Sequence, residues 1–234
     1  MFKISSEMKK AFKGHNYSGE LIMICLFMKC RYSLSYREVE EIGRLRRLDA
    51  DHTTILRWIH KFMHLLEVIF KKRKKPVCTS WRADETYIRM NGTWVYLYRA
   101  VDKYGDTIDF FLSEKRDLEA AKIFFKKAIR SCGRPTKVNI DKSGANTSAL
   151  NKINEELPEE ERIEIRQNKY LNNLVEQDHR FIKKKTKPTL GFKNFWSALA
   201  TITGIEVIHM IHKGQLFNCE KYGSVFSQFA SLAA

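Results

Sequence analysis

Three acidic residues occupy positions that local structure alone does not call for. Asp84 lies inside Trp81-Arg-Ala-Asp-Glu-Thr-Tyr-Ile88, a stretch rich in strand formers, and acids are depleted within strands. Asp141 directly follows the apolar-leaning Lys137-Val-Asn-Ile140, so it ends a short strand, where sheet-based sites commonly lie. Glu176 falls early in a helix that the pattern starts near Asn173. Each has a plain explanation on its own: an edge strand, a turn cap, a solvated helix face. Together they supply what metal-assisted phosphoryl transfer needs, hard oxygen donors from separate elements held on a rigid sheet. Mg²⁺ takes carboxylates, waters and phosphate oxygens. Two such ions about 3.5–4 Å apart clamp the attacking and leaving oxygens of an in-line displacement.

The elements that must position these acids follow from periodicity. Ser80 to Met90 alternates and is rich in strand formers, Asn91-Gly92 is a hairpin signal, and Trp94 to Val101 answers as the second strand. Thr107 to Leu112 makes a third. Asp117 caps a helix to about Ser131, Lys137–Ile140 is a short strand, and a weaker helix runs from Ser143 to about Ile153. Glu161 to Arg166 reads as a fifth strand, and Asn173 to Lys185 and Phe195 to Lys213 as helices. The order is β-β-β-α-β-α-β-α, then more helix. Trp94, Tyr96 and Tyr98 alternate onto one strand face and are assigned to the core. Glu85 faces the opposite side from Asp84 and is given a structural role. Asp178 points away from Glu176 on the helix, whereas His179 lies one turn on, where a group supporting a metal ligand would sit.

Before Pro76 the pattern is helical. Leu21, Ile24, Cys25 and Met28 recur at helical spacing. Ser35-Tyr-Arg-Glu38 fits a capping box for a helix ending near Gly43. Asp51-His-Thr-Thr opens another, with Ile55, Trp58, Ile59 and Phe62 on one face. Helix, turn, helix is the layout of a groove reader, whose second helix leads with its N-terminal residues; here those are His52, Thr53, Thr54 and Arg57. The run Lys71–Lys75 before Pro76 reads as a linker that touches DNA backbone. The 234-residue chain carries a net charge of +15, and residues 1–75 hold 17 Lys/Arg against 8 Asp/Glu. Such an excess favours a polyanion, although charge that merely keeps a protein dispersed is the plainer reading. The longest apolar run, Leu21–Met28, is too short for a bilayer, which needs about 20 residues, and no signal-peptide pattern opens the chain. Five scattered cysteines without a CxxC pair suit core packing in a reducing compartment. The expected location is the cytoplasm, with no membrane partner.

The stretch from Ala83 to Lys213 resembles the DDE transposases of small bacterial insertion sequences, specifically insertion-sequence family six. The residues that carry this are Asp84-Glu-Thr-Tyr87, Trp94 to Asp102, Asp109-Phe-Phe-Leu112, Asn139-Ile-Asp-Lys142, Lys169 to His179 and Thr189-Leu-Gly-Phe-Lys193. Thirty-four residues separate Asp141 from Glu176, the spacing of that group, and Lys183 stands seven residues after Glu176, as the group requires. Ser35 to Glu38 and Asp51 to Trp58 are also similar to the family. The resemblance implies an α/β fold of the RNase H-like, retroviral-integrase type, a mixed sheet with flanking helices behind a small helix-turn-helix domain. It implies two Mg²⁺ (or Mn²⁺) ions on Asp84, Asp141 and Glu176, which would also be the catalytic residues. A water or a DNA 3′-OH would attack a phosphodiester with no covalent enzyme–DNA intermediate. Lys183 would hold DNA beside the acids, with Tyr170 and Asn173 positioning the strand. The expected domains are 1–75 (reader and basic linker), 76–216 (catalytic) and 217–234 (a tail that resembles nothing specific). The expected function is binding of the element's terminal inverted repeats, then cleavage and strand transfer, as a homodimer on double-stranded DNA. The acidic stretch Glu155 to Arg162 and the segment Arg44 to Ala50 depart from the family pattern. Two alternatives stand: an RNase H-like nuclease, which needs neither a fused reader nor the Glu176–Lys183 pair, and an impaired relic that only binds DNA.

Overall fold

A computed structural model describes residues 4–45, 47–141, 144–189 and 191–234; Lys142, Ser143 and Leu190, which fall in the motif blocks and helix start given above, lie outside the described residues, as does Arg46. Contacts divide the chain into two units, Met1–Lys75 with Lys184–Ala234, and Pro76–Lys183.

The first unit begins with α1 (Ser6–Phe12), α2 (Gly19–Arg31), α3 (Tyr36–Leu45) and α4 (His52–Lys72). Each start is encoded locally. Ser5, Ser18 and Asp51 accept backbone N–H groups of the first turns of α1, α2 and α4. α3 opens on a reciprocal capping box, in which Glu38 N–H donates to the Ser35 hydroxyl and Ser35 N–H to the Glu38 carboxylate. α3 continues two residues past Gly43, since a lone glycine weakens a helix without ending it. The apolar stripe of α4, from Ile55 through Trp58 and Phe62 to Phe70, is fully buried.

The second unit is built on five strands. β1 (Ser80–Met90) and β2 (Thr93–Asp102) pair antiparallel through a two-residue turn, and β3 (Thr107–Ser113) pairs antiparallel with β2. The turn residues Asn91 and Gly92 have φ of 46° and 80°, the left-handed pair that a type I′ hairpin demands. α5 (Leu118–Cys132), capped by Asp117, leads to β4 (Lys137–Ile140), which lies parallel to β1; α6 (Gly144–Glu155) leads to β5 (Glu164–Gln167), parallel to β4. The sheet order is β3-β2-β1-β4-β5. Three antiparallel strands followed by two parallel strands joined through helices constitute the RNase H-like topology. Trp81, Ala83, Tyr98, Ala100, Val138 and Ile140 on one sheet face pack with Phe124, Phe125, Leu150 and Ile153 of α5 and α6. α7 (Asn173–Thr186) follows a 3-10 turn, Lys169–Asn172.

α8 (Phe195–His212) and α9 (Val225–Ala230) cluster by contacts with the first unit. The sequence places residues 184–216 with the catalytic domain; in the structure they pack with α1–α4. From Thr201 to Ile211 every residue of α8 is buried, Glu206 and His209 among the apolar side chains. Gly204 permits the fit: a Cβ there would stand 2.3 Å from Cys30 Sγ and 2.6 Å from Met63 Sδ. The tail also packs, with Phe229, Leu232 and Ala233 fully buried. The basic run Lys71–Lys75 is therefore no free linker. α4 continues through Lys72 with Lys71 paired to Glu67 at 3.0 Å. The Arg73 guanidinium donates to the Ser231 carbonyl at 2.7 Å, and Lys75 N–H to the Gln215 carbonyl at 2.8 Å. Glu67 offsets one charge of the run, and the Ser231 carbonyl takes up the Arg73 guanidinium. Among the described residues, no helix is long and apolar enough to cross a membrane.

Candidate active site

Strand alternation divides the side chains of β1 between two faces. Trp81, Ala83 and Glu85 point toward α5 and α6. Arg82 and Asp84 point to the other face. The β1–β4 register pairs Ser80 with Lys137, Trp81 with Val138 and Arg82 with Asn139. The same offset, carried two residues on, brings Asp84 level with Asp141, just past the end of β4. Adjacent strands lie about 4.8 Å apart, so in that register the two backbone positions are near neighbours. β1 is the central strand, which removes the edge-strand explanation for Asp84.

α7 covers this face. His179 Nε2 lies 3.3 Å from Asp84 Oδ2, and His179 is 5% exposed. A carboxylate oxygen accepts, so Nε2–H donates, which leaves Nδ1 buried without a partner among the described residues. One residue earlier, Asp178 accepts from Arg99 Nη2 at 2.7 Å. Arg99 is fully buried on β2 and is the register partner of Asp84, so both α7 contacts fall on neighbouring side chains of one sheet face. Val175, His179 and Ile182 turn inward; Glu176, Arg180 and Lys183 form an exposed strip. Glu176 thus begins one turn before the histidine that holds Asp84, and Lys183 lies two turns beyond Glu176 on the same strip. Asn173 and Tyr170 are exposed at the start of α7 and in the turn before it. Among the described residues, no three His, Cys, Asp or Glu side chains gather as a metal-binding group. The β1–β4 register runs toward Asp84 on β1 and Asp141 just past β4, and Glu176 is exposed on α7. The donor set on offer, carboxylate oxygens only, fits a hard divalent cation such as Mg²⁺.

On the opposite face Glu85 is engaged structurally. Its carboxylate takes Arg116 and, at 3.0 Å, Asn146 Nδ2. Burial lifts its pKa above the ordinary value, with Asn146 and Arg116 pulling the other way. The alternating aromatics are not all core. Tyr98 is buried, Tyr96 half-buried and Trp94 58% exposed, because the hairpin runs out beyond the cover of α5. The acidic stretch after α6 is met by cations: Glu156 pairs with Lys122 and Lys126, and Glu161 with Arg134.

At the start of α4, three of the four expected base readers are already occupied. His52 Nδ1 lies 2.8 Å from Glu40 Oε2, and the Thr53 and Thr54 hydroxyls both donate to Asp51. Arg57 is exposed. Sequence reasoning passed over Arg99 and treated Asp178 only as pointing away from Glu176. The signal for Arg99 was present: a charged residue amid Tyr96-Leu-Tyr-Arg-Ala-Val101 breaks strand propensity as Asp84 does.

The chain is similar to known proteins. A family model described as a DDE domain matches residues 78–215. The transposase for insertion sequence-like element IS431mec of Staphylococcus aureus (strain Mu50) is 36% identical over 213 residues, covering 91% of this chain and 93% of the relative. The transposase for insertion sequence element IS257 in transposon Tn4003, also from Staphylococcus aureus, shows the same identity and coverage. Among solved structures, the HTLV-2 integrase catalytic core domain in complex with magnesium (trimeric form) is 20% identical, with a TM-score of 0.46 over 57% of this chain and 86% of that one.

Proposed function

The chain belongs to the DDE transposases of insertion-sequence family six, and from that premise we propose that it binds the terminal inverted repeats of its own element, cuts DNA there and joins the freed 3′ ends to target DNA. What supports this is the parallel β1–β4 register, which runs toward Asp84 on β1 and Asp141 just past β4, with α7, the helix that bears Glu176, reaching Asp84 through His179. These three would hold two Mg²⁺ (or Mn²⁺) ions. Bound there, the metal would supply activation of the attacking water or 3′-OH and neutralisation of charge on the phosphodiester.

The rest is work for this chain's own side chains. His179 fixes one oxygen of Asp84, which orients the other toward the open side. Arg99 and Asp178 tie α7 to the sheet beside it. Lys183, with Tyr170 and Asn173 upstream, binds and aligns the DNA strand along the exposed strip. In the helical unit Arg57 leads the contact with DNA, while His52, Thr53 and Thr54 shape the start of α4 and reach DNA through its first turn. Coordinated cutting of two ends calls for a homodimer on DNA.

The test is Glu176→Gln, assayed for cleavage and strand transfer on oligonucleotides bearing the element's terminal repeat, with binding measured in parallel. Chemistry should vanish while repeat binding stays within about twofold, since one exposed charge contributes little to it. Retained cleavage would refute the assignment of Glu176; loss of binding would refute the division of labour between the units.

A further inference from the structure

A second feature lies on the sheet face of Asp84 and Asp141, one step back along the strands. Arg82, Asn139 and Arg166 form a single register row across β1, β4 and β5. With Lys137 and Leu171 they line a cleft of about 150 Å³. Three cations reach it. Glu164, beside it, is taken up by Arg166 through contacts of 2.8 and 3.3 Å and is also drawn down by Lys137. The surplus is therefore positive. Arg82 Nη1 is buried with no hydrogen-bond partner among the described residues. Asn139 is 4% exposed, commits its Nδ2 to Asn168 and Asn172, and keeps an unpartnered Oδ1. A buried guanidinium N–H without an acceptor calls for an explanation. An anionic oxygen is its natural partner, because a guanidinium fork fits phosphate geometry.

We propose that this cleft seats the backbone phosphate next to the one being cut, with Arg82 and Lys137 donating to its oxygens. The spacing supports that occupant: two residues along a strand are about 6.6 Å, so the row stands beside the carboxylate pair at a distance that one nucleotide bridges. The inference rests on Asp84 and Asp141 being the cutting centre, and it adds a register, since a strand held in the cleft presents one particular phosphodiester to the acids. Arg82 is thus a residue that sets where the strand is cut.

A phosphate scan tests it. The full chain is given terminal-repeat duplexes in which one phosphate at a time, on either side of the cut, is replaced by an uncharged methylphosphonate. Binding is read by fluorescence anisotropy without metal, and cleavage with Mg²⁺. Neutralising one phosphate adjacent to the cut should raise the Kd of the unaltered protein about tenfold. Arg82→Met should raise the Kd of all-phosphate DNA to a similar extent, reduce the slope of log K on log salt by about one and add no further loss on the methylphosphonate duplex. The proposal is overturned if no adjacent phosphate matters to the unaltered protein, a result that does not depend on how the variant folds. It is equally overturned if the two losses multiply independently. Cleavage that proceeds while indifferent to the neighbouring phosphate removes this cleft alone; a protein that binds the repeat and never cuts it removes the proposed function, and the cleft with it.

Discussion

Asp178→Ala strips the counter-ion from a guanidinium with no exposure to water. Arg99 is 0% exposed and Asp178 11%, with Nη2 and Oδ2 2.7 Å apart. Removing one partner of a buried pair costs about 3–5 kcal/mol, because the survivor keeps its desolvation without its attraction. Two features place this case at the low end. Water reaches part of Asp178, and Arg99 has interactions beyond this one. The expected loss is therefore about 3 kcal/mol. For a chain of this size about 2–4 °C accompany each kcal/mol, so the melting temperature should fall by about 6–12 °C. Total stability is about 5–15 kcal/mol, so the variant remains folded at 25 °C and can be assayed. Urea titration followed by hydrogen exchange across α7 reads the loss where it occurs, and cleavage should fall more than repeat binding because Glu176 shares the loosened helix. The double change Arg99→Met with Asp178→Leu should lie within about 1 kcal/mol of the unaltered protein, since an apolar pair removes both charges together. A cost below about 1 kcal/mol for Asp178→Ala, or a double variant as unstable as the summed singles, would refute the account of α7 docking.

The other expectations are narrower. His179→Leu should raise the Mg²⁺ concentration at half-maximal cleavage about 10–100-fold, as loss of a group supporting a metal ligand does, with little change in rate at saturating Mg²⁺, while His179→Gln keeps a donor and recovers part of the shift. An equal loss at all Mg²⁺ concentrations would instead show a packing defect. Asp51 is held well below the usual carboxylate range by the hydroxyls of Thr53 and Thr54. A depressed carboxylate contributes stability that is present above its unfolded value, about pH 3.9, and lost as pH falls through the folded one. Asp51→Asn, which keeps an N-cap acceptor, should thus lessen the acid-side loss of helicity measured by circular dichroism below about pH 4 and leave the neutral range nearly unchanged. An identical acid profile would mean that Asp51 plays no part in it.

Much of this molecule was legible because its signals are local. The capping box at Ser35, the N-cap at Asp51, the Asn91-Gly92 turn and the strand alternation each act within a few residues, and the element order followed from them. Asp84 stood out because it broke a local rule. What escaped depended on partners distant in sequence. Arg99 breaks the same rule as Asp84, but its meaning requires the register that sets it beside Asp84 and the helix that brings Asp178 to it. Asp178 does turn away from Glu176, as helical geometry dictates, yet that geometry is silent about what it turns toward.

The C-terminal third shows the same limit from the apolar side. The composition of α8 states that it is buried on every side, not against what, and chain order suggested the domain just before it. The structure returns it to α2 and α4, where Gly204 lets the backbones approach and the backbones of Arg73 and Lys75 pair with Phe217 and Gln215. Burial of Phe229 and Leu232 then makes the last residues part of the helical unit's core. A positively charged run that reads as a solvated linker thereby becomes a structural seam. Carboxylate and carbonyl groups of the same unit thus already claim part of this charge, Glu67 that of Lys71 and the Ser231 carbonyl that of Arg73, just as Glu40 claims His52 at the start of α4.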